Sequence, residues 1–248
     1  MTATVPSHDE SQWTVEAGGW LRLERPRPEL DLRTPGELLS LADSLGGNLR
    51  YTIQGQRAWL CGELRFPDVE VDPSAARQRL RRCALDGPQA YRADDDLVES
   101  ILASGGLTWS RRDRRWVIAP APGRPWEIGV STGQHGVCVQ AVLASWSEIS
   151  EASRAGLARF LCLSQSGLRF CRAVMDDASV RIVSRVDDPS LLEAELPDSL
   201  QAVPAACCLL ARGVQALLDE ELARVYTSVF DEREGGGDRF RGTCFAWG

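Results

Sequence analysis

The chain has 248 residues, of which 44% are hydrophobic and 25% are charged, so its composition is that of a globular protein and excludes wholesale disorder. Its 35 acidic and 28 basic residues give a net charge of −7, which argues against general nucleic-acid binding. Those basic residues are all arginine, which excludes any chemistry that depends on a lysine side chain.

The cysteines indicate a reducing, cytoplasmic environment. The sequence contains eight of them, none in a C-x-x-C pair, and most lie within apolar runs. In a chain of this length the pattern predicts buried free thiols rather than a disulfide framework. The N-terminus is polar and acidic, unlike a signal peptide, and we expect no membrane-spanning segment and no membrane partner.

The first part of the chain contains a strong helix-start signal. Thr34 can cap a helix, Pro35 suits its first position, and Glu37 completes a capping box. We predict a flexible arm over residues 1–17, a strand from residue 20, a hairpin of residues 49–53 and 58–66, and a helix over residues 72–85.

The second part predicts a longer series of elements. In each of four short segments every second residue is apolar. This alternation indicates an antiparallel meander over residues 107–111, 115–119, 126–131 and 137–143. Ser145 and Glu148 repeat the capping-box spacing and predict a helix start. Helices are also predicted over residues 97–103, from 188 and over 203–230, with a hairpin at 168–174 and 180–186 and a disordered tail at 231–248.

The two parts share one order of elements. Thr34 corresponds to Ser145, and the hairpin strand at Leu49 corresponds to the strand at Leu168. A period of this length indicates two related domains rather than a solenoid. We therefore predict a partial lobe over residues 18–90 and a complete lobe over residues 91–230.

The second lobe reads helix, antiparallel strands, helix, two strands, helix, and this order resembles the type III secretion chaperone fold, which is also found in the YbjN-like proteins. The resemblance covers roughly residues 90–230 and implies an α+β protein with two related lobes of antiparallel sheet packed with helices. It also implies a module with no chemistry of its own, which holds an extended segment of a protein or peptide partner on an apolar sheet or helix groove. Because such chaperones are small dimers, we expect either a monomer with an internal pseudo-dimer or a homodimer.

A catalytic or metal site finds little support in the residue pattern. His135 lies in a predicted turn, and a nucleophilic site built on histidine would have to use it, because the other histidine lies in the arm. Cysteine and histidine pairs with zinc spacing are absent from the sequence. We therefore expect no catalytic residues, no metal and no cofactor, with an enzyme that uses carboxylates or His135 as an alternative.

The candidate partner-binding residues belong to the meander. They combine aromatic and aliphatic side chains with the dense basic run at residues 111–115, and they are Trp109, Trp116, Ile118, Trp126, Ile128, Arg114 and Arg115. Aromatic residues are over-represented at binding surfaces. The same tryptophans could instead belong to the core, and the arginines could form a solvated hairpin tip.

The sequence therefore favours a non-enzymatic, cytoplasmic protein-binding module. One alternative is a scaffold subunit of a multiprotein bacterial system. Another is a nucleic-acid reader that uses the basic run at residues 111–115, although the net charge opposes it.

Overall fold

The structure is a computed structural model that describes residues 11–16, 20–65, 78, 91–120 and 125–234. Within these residues the chain forms two antiparallel sheets with helices packed on them. The α+β class predicted from the sequence is confirmed. Most of the predicted helix at 72–85, the first ten residues and residues 235–248 lie outside the described part of the chain.

The first sheet has the strand order β1-β2-β4-β3. Its strands and its connecting helix are β1 (Gln12–Glu16), β2 (Trp20–Pro26), α1 (Pro35–Ala42), β3 (Arg50–Gln54) and β4 (Arg57–Arg65). The predicted capping box begins α1, because the Thr34 N–H donates to the Glu37 carboxylate at 2.7 Å and the Glu37 N–H donates to the Thr34 hydroxyl at 3.3 Å. The hairpin turn between β3 and β4 contains Gly55 with a φ of +64°, a conformation that favours glycine.

The second sheet has the strand order β5-β6-β7-β8-β10-β9. The elements of this part are α2 (Asp95–Ser104), β5 (Trp109–Arg112), β6 (Arg115–Ile118), β7 (Ile128–Gly133), β8 (Gly136–Ser145), α3 (Glu151–Ser164), β9 (Arg172–Met175), β10 (Ser179–Val186), α4 (Leu192–Leu217) and α5 (Glu220–Glu234). The predicted meander is confirmed as β5 to β8, and α3 connects β8 to β9.

Two local predictions were wrong. Gln12–Glu16 is not part of a flexible arm, because it pairs with β2 as an edge strand. Ser145 does not cap a helix, because its pairing with Ser179 makes it the last residue of β8; Ser150 caps α3 instead.

The long C-terminal helix was also placed wrongly. It begins at Leu192 rather than near residue 203, and it ends at Leu217. A separate helix, α5, then runs from Glu220 to Glu234. The tail predicted to start at residue 231 therefore begins inside a helix. The segment Pro189–Leu217 is long and apolar enough to cross a membrane by length and composition alone, and in this fold α4 packs on β8 and β10.

The two sheets contain one four-stranded unit in the same register. Arg50 pairs with Cys61 in the first sheet, and Arg172 pairs with Val183 in the second. Equivalent positions in the two hairpins therefore differ by 122 in residue number. Glu24 of β2 pairs with Cys61, and Gln140 of β8 pairs with Val183. Equivalent positions in β2 and β8 therefore differ by 116 in residue number. We call β1–β4 with α1 unit 1, and β7–β10 with α3 unit 2. The hairpin alignment made from the sequence, Leu49 with Leu168, is three residues out of this register.

The units pack through reciprocal contacts. Helix α1 of unit 1 lies against β9 of unit 2, helix α3 of unit 2 lies against β3 of unit 1, and the two helices lie against each other. The side-chain amide of Gln165 joins the two edge strands at their equivalent residues, because it donates to the Tyr51 carbonyl at 2.7 Å and accepts from the Ala173 N–H at 3.0 Å. The two units therefore face each other about an approximate twofold relation. The division into lobes at residues 18–90 and 91–230 stays a prediction.

Candidate functional site

The sheet residues that the sequence singled out point to opposite faces of the second sheet. Trp109, Ile118 and Ile128 are aligned across β5, β6 and β7, so the register brings them into one row. Alternation along a strand puts Trp116 on the same face and Arg115 on the other. The predicted set is therefore not one continuous surface.

The tryptophan face belongs to the core. Trp116 is completely buried, and Ile118 and Ile128 are nearly so, while Trp109 and Trp126 are half-buried against the same core. The Trp116 Nε1–H donates to the Glu99 carboxylate of α2 at 3.0 Å. These side chains stabilise the fold, and Trp116 has no exposed surface that a partner could contact.

The basic run divides into engaged and exposed side chains. Arg111 forms ion pairs with Asp95 at 2.6 Å and Glu99 at 2.7 Å, and its guanidinium lies 5.1 Å from the Trp116 ring centre. Arg115 lies 3.7 Å from Glu127 on the opposite face. Arg114 is exposed in the turn between β5 and β6. The run therefore does not present five arginines to one ligand.

His135 lies in the turn between β7 and β8. It is half-buried and forms an isolated bridge with Tyr91. Burial raises the pKa of the Tyr91 hydroxyl to about 12, so this neighbour is a poor base at neutral pH. Across the part of the chain that the structure describes, no group of three or more histidine, cysteine, aspartate or glutamate residues could hold a metal ion.

The thiols of the described part are free and mostly buried. Burial raises the pKa of Cys61 to about 11 and of Cys171 to about 12, and it raises the pKa of Cys162 as well. A raised pKa lowers the population of the thiolate, which is the nucleophilic form. Cys208, on α4, is exposed. The buried thiols therefore have the properties of packing residues rather than of activated nucleophiles.

An open groove lies where the two units meet on the side of the first sheet. Its volume is about 580 Å³, within the range of small-molecule and side-chain pockets. Unit 1 supplies the segment after β2, the start of α1 and the β3–β4 turn, and unit 2 supplies the C-terminal half of α3. The apolar lining comes from both units and includes Leu30, Leu32, Leu38, Ile53 and Leu163.

The groove combines an exposed apolar side chain with positive charge. Leu32 is 98% exposed, more than any other large hydrophobic residue in the described part of the chain. The charged residues that line the groove are Arg33, Arg57, Arg159 and the acidic Asp31, so its lining carries a net positive charge. Arg33 is held by Glu37 at 2.9 Å, whereas Arg57 has no partner among the described residues. The surface therefore suits an apolar group that carries an acidic neighbour.

The groove is held in shape by the segment that follows β2. The Asp31 carboxylate accepts a hydrogen bond from the Ala58 N–H at 2.8 Å, and the Arg27 N–H donates to the Ala58 carbonyl, also at 2.8 Å. These two bonds fix the Leu30 and Leu32 segment to the hairpin. The open volume is thus bounded by hydrogen-bonded backbone rather than by a loose loop.

Sequence reasoning missed the groove residues. Leu30 and Leu32 alternate with a single polar residue, which is too short to predict a strand, and they lie in a proline-rich connection that is typical of a loop. Large apolar residues in such a connection were the only local signal. Leu163 and Arg159 come from more than 100 residues later, so no local pattern could join them to that segment.

Comparisons with known proteins do not assign the site. No family model matches the chain, and neither a curated protein nor a solved structure is significantly similar to it.

Proposed function

We propose that the protein is a non-enzymatic binding module that holds an extended, apolar segment of another protein carrying acidic residues. The observation that carries this proposal is the groove between the units, with Leu32 almost fully exposed beside Arg57. Leu32 adds an exposed apolar side chain to the apolar lining of the groove, which an apolar segment of a partner can cover, and an acidic residue in that segment complements Arg57, which has no partner among the described residues. The partner surface proposed here is the groove rather than the tryptophan face of the second sheet.

The resemblance to secretion chaperones agrees with this kind of binding. A bound segment would contact both units at once, because the groove is lined by both. The reciprocal packing of α1 and α3 supports a monomer in which the two units replace a dimer. The free cysteines of the described part support the proposed cytoplasmic location.

Site-specific photo-crosslinking tests the proposal. A photoreactive amino acid replaces Leu32 in the full chain, and a matched variant carries it at Leu209, which is 66% exposed on α4. Expressed in the native host, the Leu32 variant is expected to crosslink to one protein, at a segment that mass spectrometry shows to be apolar and acidic. Adding Arg57→Glu should reduce that product. Equal crosslinking from both positions, or products with no acidic segment, would overturn the proposal.

The oligomeric state is a separate measurement. Light scattering on the purified chain is expected to give the monomer mass of 27.2 kDa. A stable dimer would contradict the proposal that the two units already form the complete pair.

A further inference from the structure

Two equivalent positions in the repeat carry different side chains, and only the side chain in unit 2 forms a hydrogen bond to the hairpin turn of its own unit. Leu30 lies four residues before Thr34, the residue that caps α1, and Trp146 lies four residues before Ser150, the residue that caps α3. Both follow equivalent strands, β2 and β8, and both pack against the core. Position for position, Leu30 in unit 1 corresponds to Trp146 in unit 2.

In unit 2 the indole closes onto the hairpin turn. The Trp146 Nε1–H donates to the Asp177 carbonyl at 2.8 Å, in the turn between β9 and β10. Arg154 of α3 binds the same residue, at 2.8 Å from its carboxylate. Side chains of the unit itself thus bridge the hairpin turn and the start of the helix.

In unit 1 the same space is open. The register of the hairpins makes Gly55 equivalent to Asp177, and the helix start makes Leu38 equivalent to Arg154. Gly55 lacks a side chain, and a Cβ built on it would meet no atom within 4 Å. Leu30 is smaller than tryptophan and carries no donor. Leu30, Leu38 and Gly55 all line the groove of about 580 Å³.

We propose that the groove of unit 1 accepts an indole, the side chain of a tryptophan in the partner segment. The bound indole takes the place that Trp146 holds in unit 2, and its N–H donates to the Gly55 carbonyl as that of Trp146 donates to the Asp177 carbonyl. Arg57, on the exposed turn of the same hairpin, favours an acidic residue close to the tryptophan in the partner. This inference rests on the proposed function and names the side chain that the groove selects.

The probe that tests it comes from the chain itself. A fluorescein-labelled hexapeptide with the sequence of residues 144–149, Ala-Ser-Trp-Ser-Glu-Ile, carries the indole of unit 2 and a nearby carboxylate. Fluorescence anisotropy with the full chain should show saturable binding. Replacing the tryptophan of the peptide by alanine should weaken binding at least about tenfold, as expected for a buried aromatic anchor.

Variants of the chain locate the binding. Leu30→Trp supplies an indole from unit 1 itself and should weaken peptide binding at least about tenfold. Arg57→Glu, an exposed substitution that leaves the fold intact, should also weaken it, whereas the matched control Arg112→Glu on β5 should not. Binding that ignores both groove variants would place the peptide elsewhere, for instance in unit 2 after displacement of Trp146, and would overturn the inference.

The two proposals fail in different ways. If crosslinking from Leu32 identifies an acidic, apolar segment but the alanine peptide binds as well as the tryptophan peptide, the indole is wrong and the binding function stands. If the crosslinking also fails, both are wrong.

Discussion

Arg50 and Arg172 occupy the same position in the two units, and each guanidinium donates hydrogen bonds into the opposite unit. The Arg50 Nε–H donates to the Gln165 carbonyl at 2.6 Å, and Arg172 donates to the carbonyls of Leu45 at 3.0 Å and Gly47 at 2.7 Å. Both side chains are completely buried. Burial lowers the pKa of Arg172 to about 10, because removal from water disfavours the charged guanidinium, while the carbonyls that accept its hydrogen bonds stabilise it.

Substitution of Arg172 is therefore expected to loosen the junction between the units. Arg172→Met removes the side-chain donor to the buried Gly47 and Leu49 carbonyls, while the Leu45 carbonyl keeps Arg185 as a donor, so the free energy of unfolding should fall by roughly 2 kcal/mol. Urea denaturation measures the change. The exposed Arg114→Met serves as the control and should change stability by less than about 0.5 kcal/mol. Equal effects of the two substitutions would show that the buried hydrogen bonds contribute nothing measurable.

Arg50 differs because it has a buried acidic partner. Its Nη2 lies 2.9 Å from the Glu63 carboxylate, which is also buried. Arg50→Met removes the closer partner of that buried carboxylate and leaves it with only Arg22, whose Nη1 lies 3.9 Å away, so we expect the free energy of unfolding to fall by about 3 kcal/mol. The double variant Arg50→Met with Glu63→Leu should be more stable than Arg50→Met alone. A double variant that is less stable would contradict the poorly paired Glu63 carboxylate as the main source of the loss.

The helix starts show what the sequence could predict and what it could not. The capping box at Thr34 was correct because all of its bonds lie within four residues. The same pattern at Ser145 was wrong because the ladder between β8 and β10 reaches that residue, and long-range pairing overrides the local preference. The buried arginines were missed for the same reason, since the acceptors of Arg172 lie more than 120 residues away.

A glycine at the β7–β8 turn should tolerate no side chain. Gly136 has a φ of +86°, and a Cβ there would lie 2.1 Å from the Val186 carbonyl oxygen and 2.7 Å from the Tyr91 ring. Because backbone must move, Gly136→Ala should cost at least about 3 kcal/mol. Gly106, with a φ of +65° and open space around it, isolates the backbone strain, and Gly106→Ala should cost about 1 kcal/mol. Thermal unfolding of both variants checks the difference, and similar losses would contradict the steric account.

Alkaline pH should destabilise the protein through its buried thiols. The folded-state pKa of Cys61 is raised to about 11 from its ordinary value of 9.0, so the unfolded chain loses this proton first. The stabilisation is complete below pH 9 and is lost as the pH rises towards 11. Cys171 and Cys207 have raised pKa values of about 12 and act in the same direction. Urea unfolding from pH 8 to 10 should show falling stability, with a shallower fall in Cys61→Ala. An unchanged slope in that variant would contradict the role of this thiol.

The last prediction separates the core role of the tryptophan face from a binding role. Trp116 is completely buried, so Trp116→Ala should cost about 3–5 kcal/mol in urea unfolding. Trp109 lies in the same sheet but is half-buried, so Trp109→Ala should lower the free energy of unfolding clearly less. Both variants, assayed below their unfolding transitions, should keep the anisotropy signal of the tryptophan peptide, because the groove lies on the other sheet and shares no residue with this face. If Trp116→Ala were instead stable but unable to bind, the partner would have to reach the second sheet by opening α2, and the groove would lose its role as the binding surface.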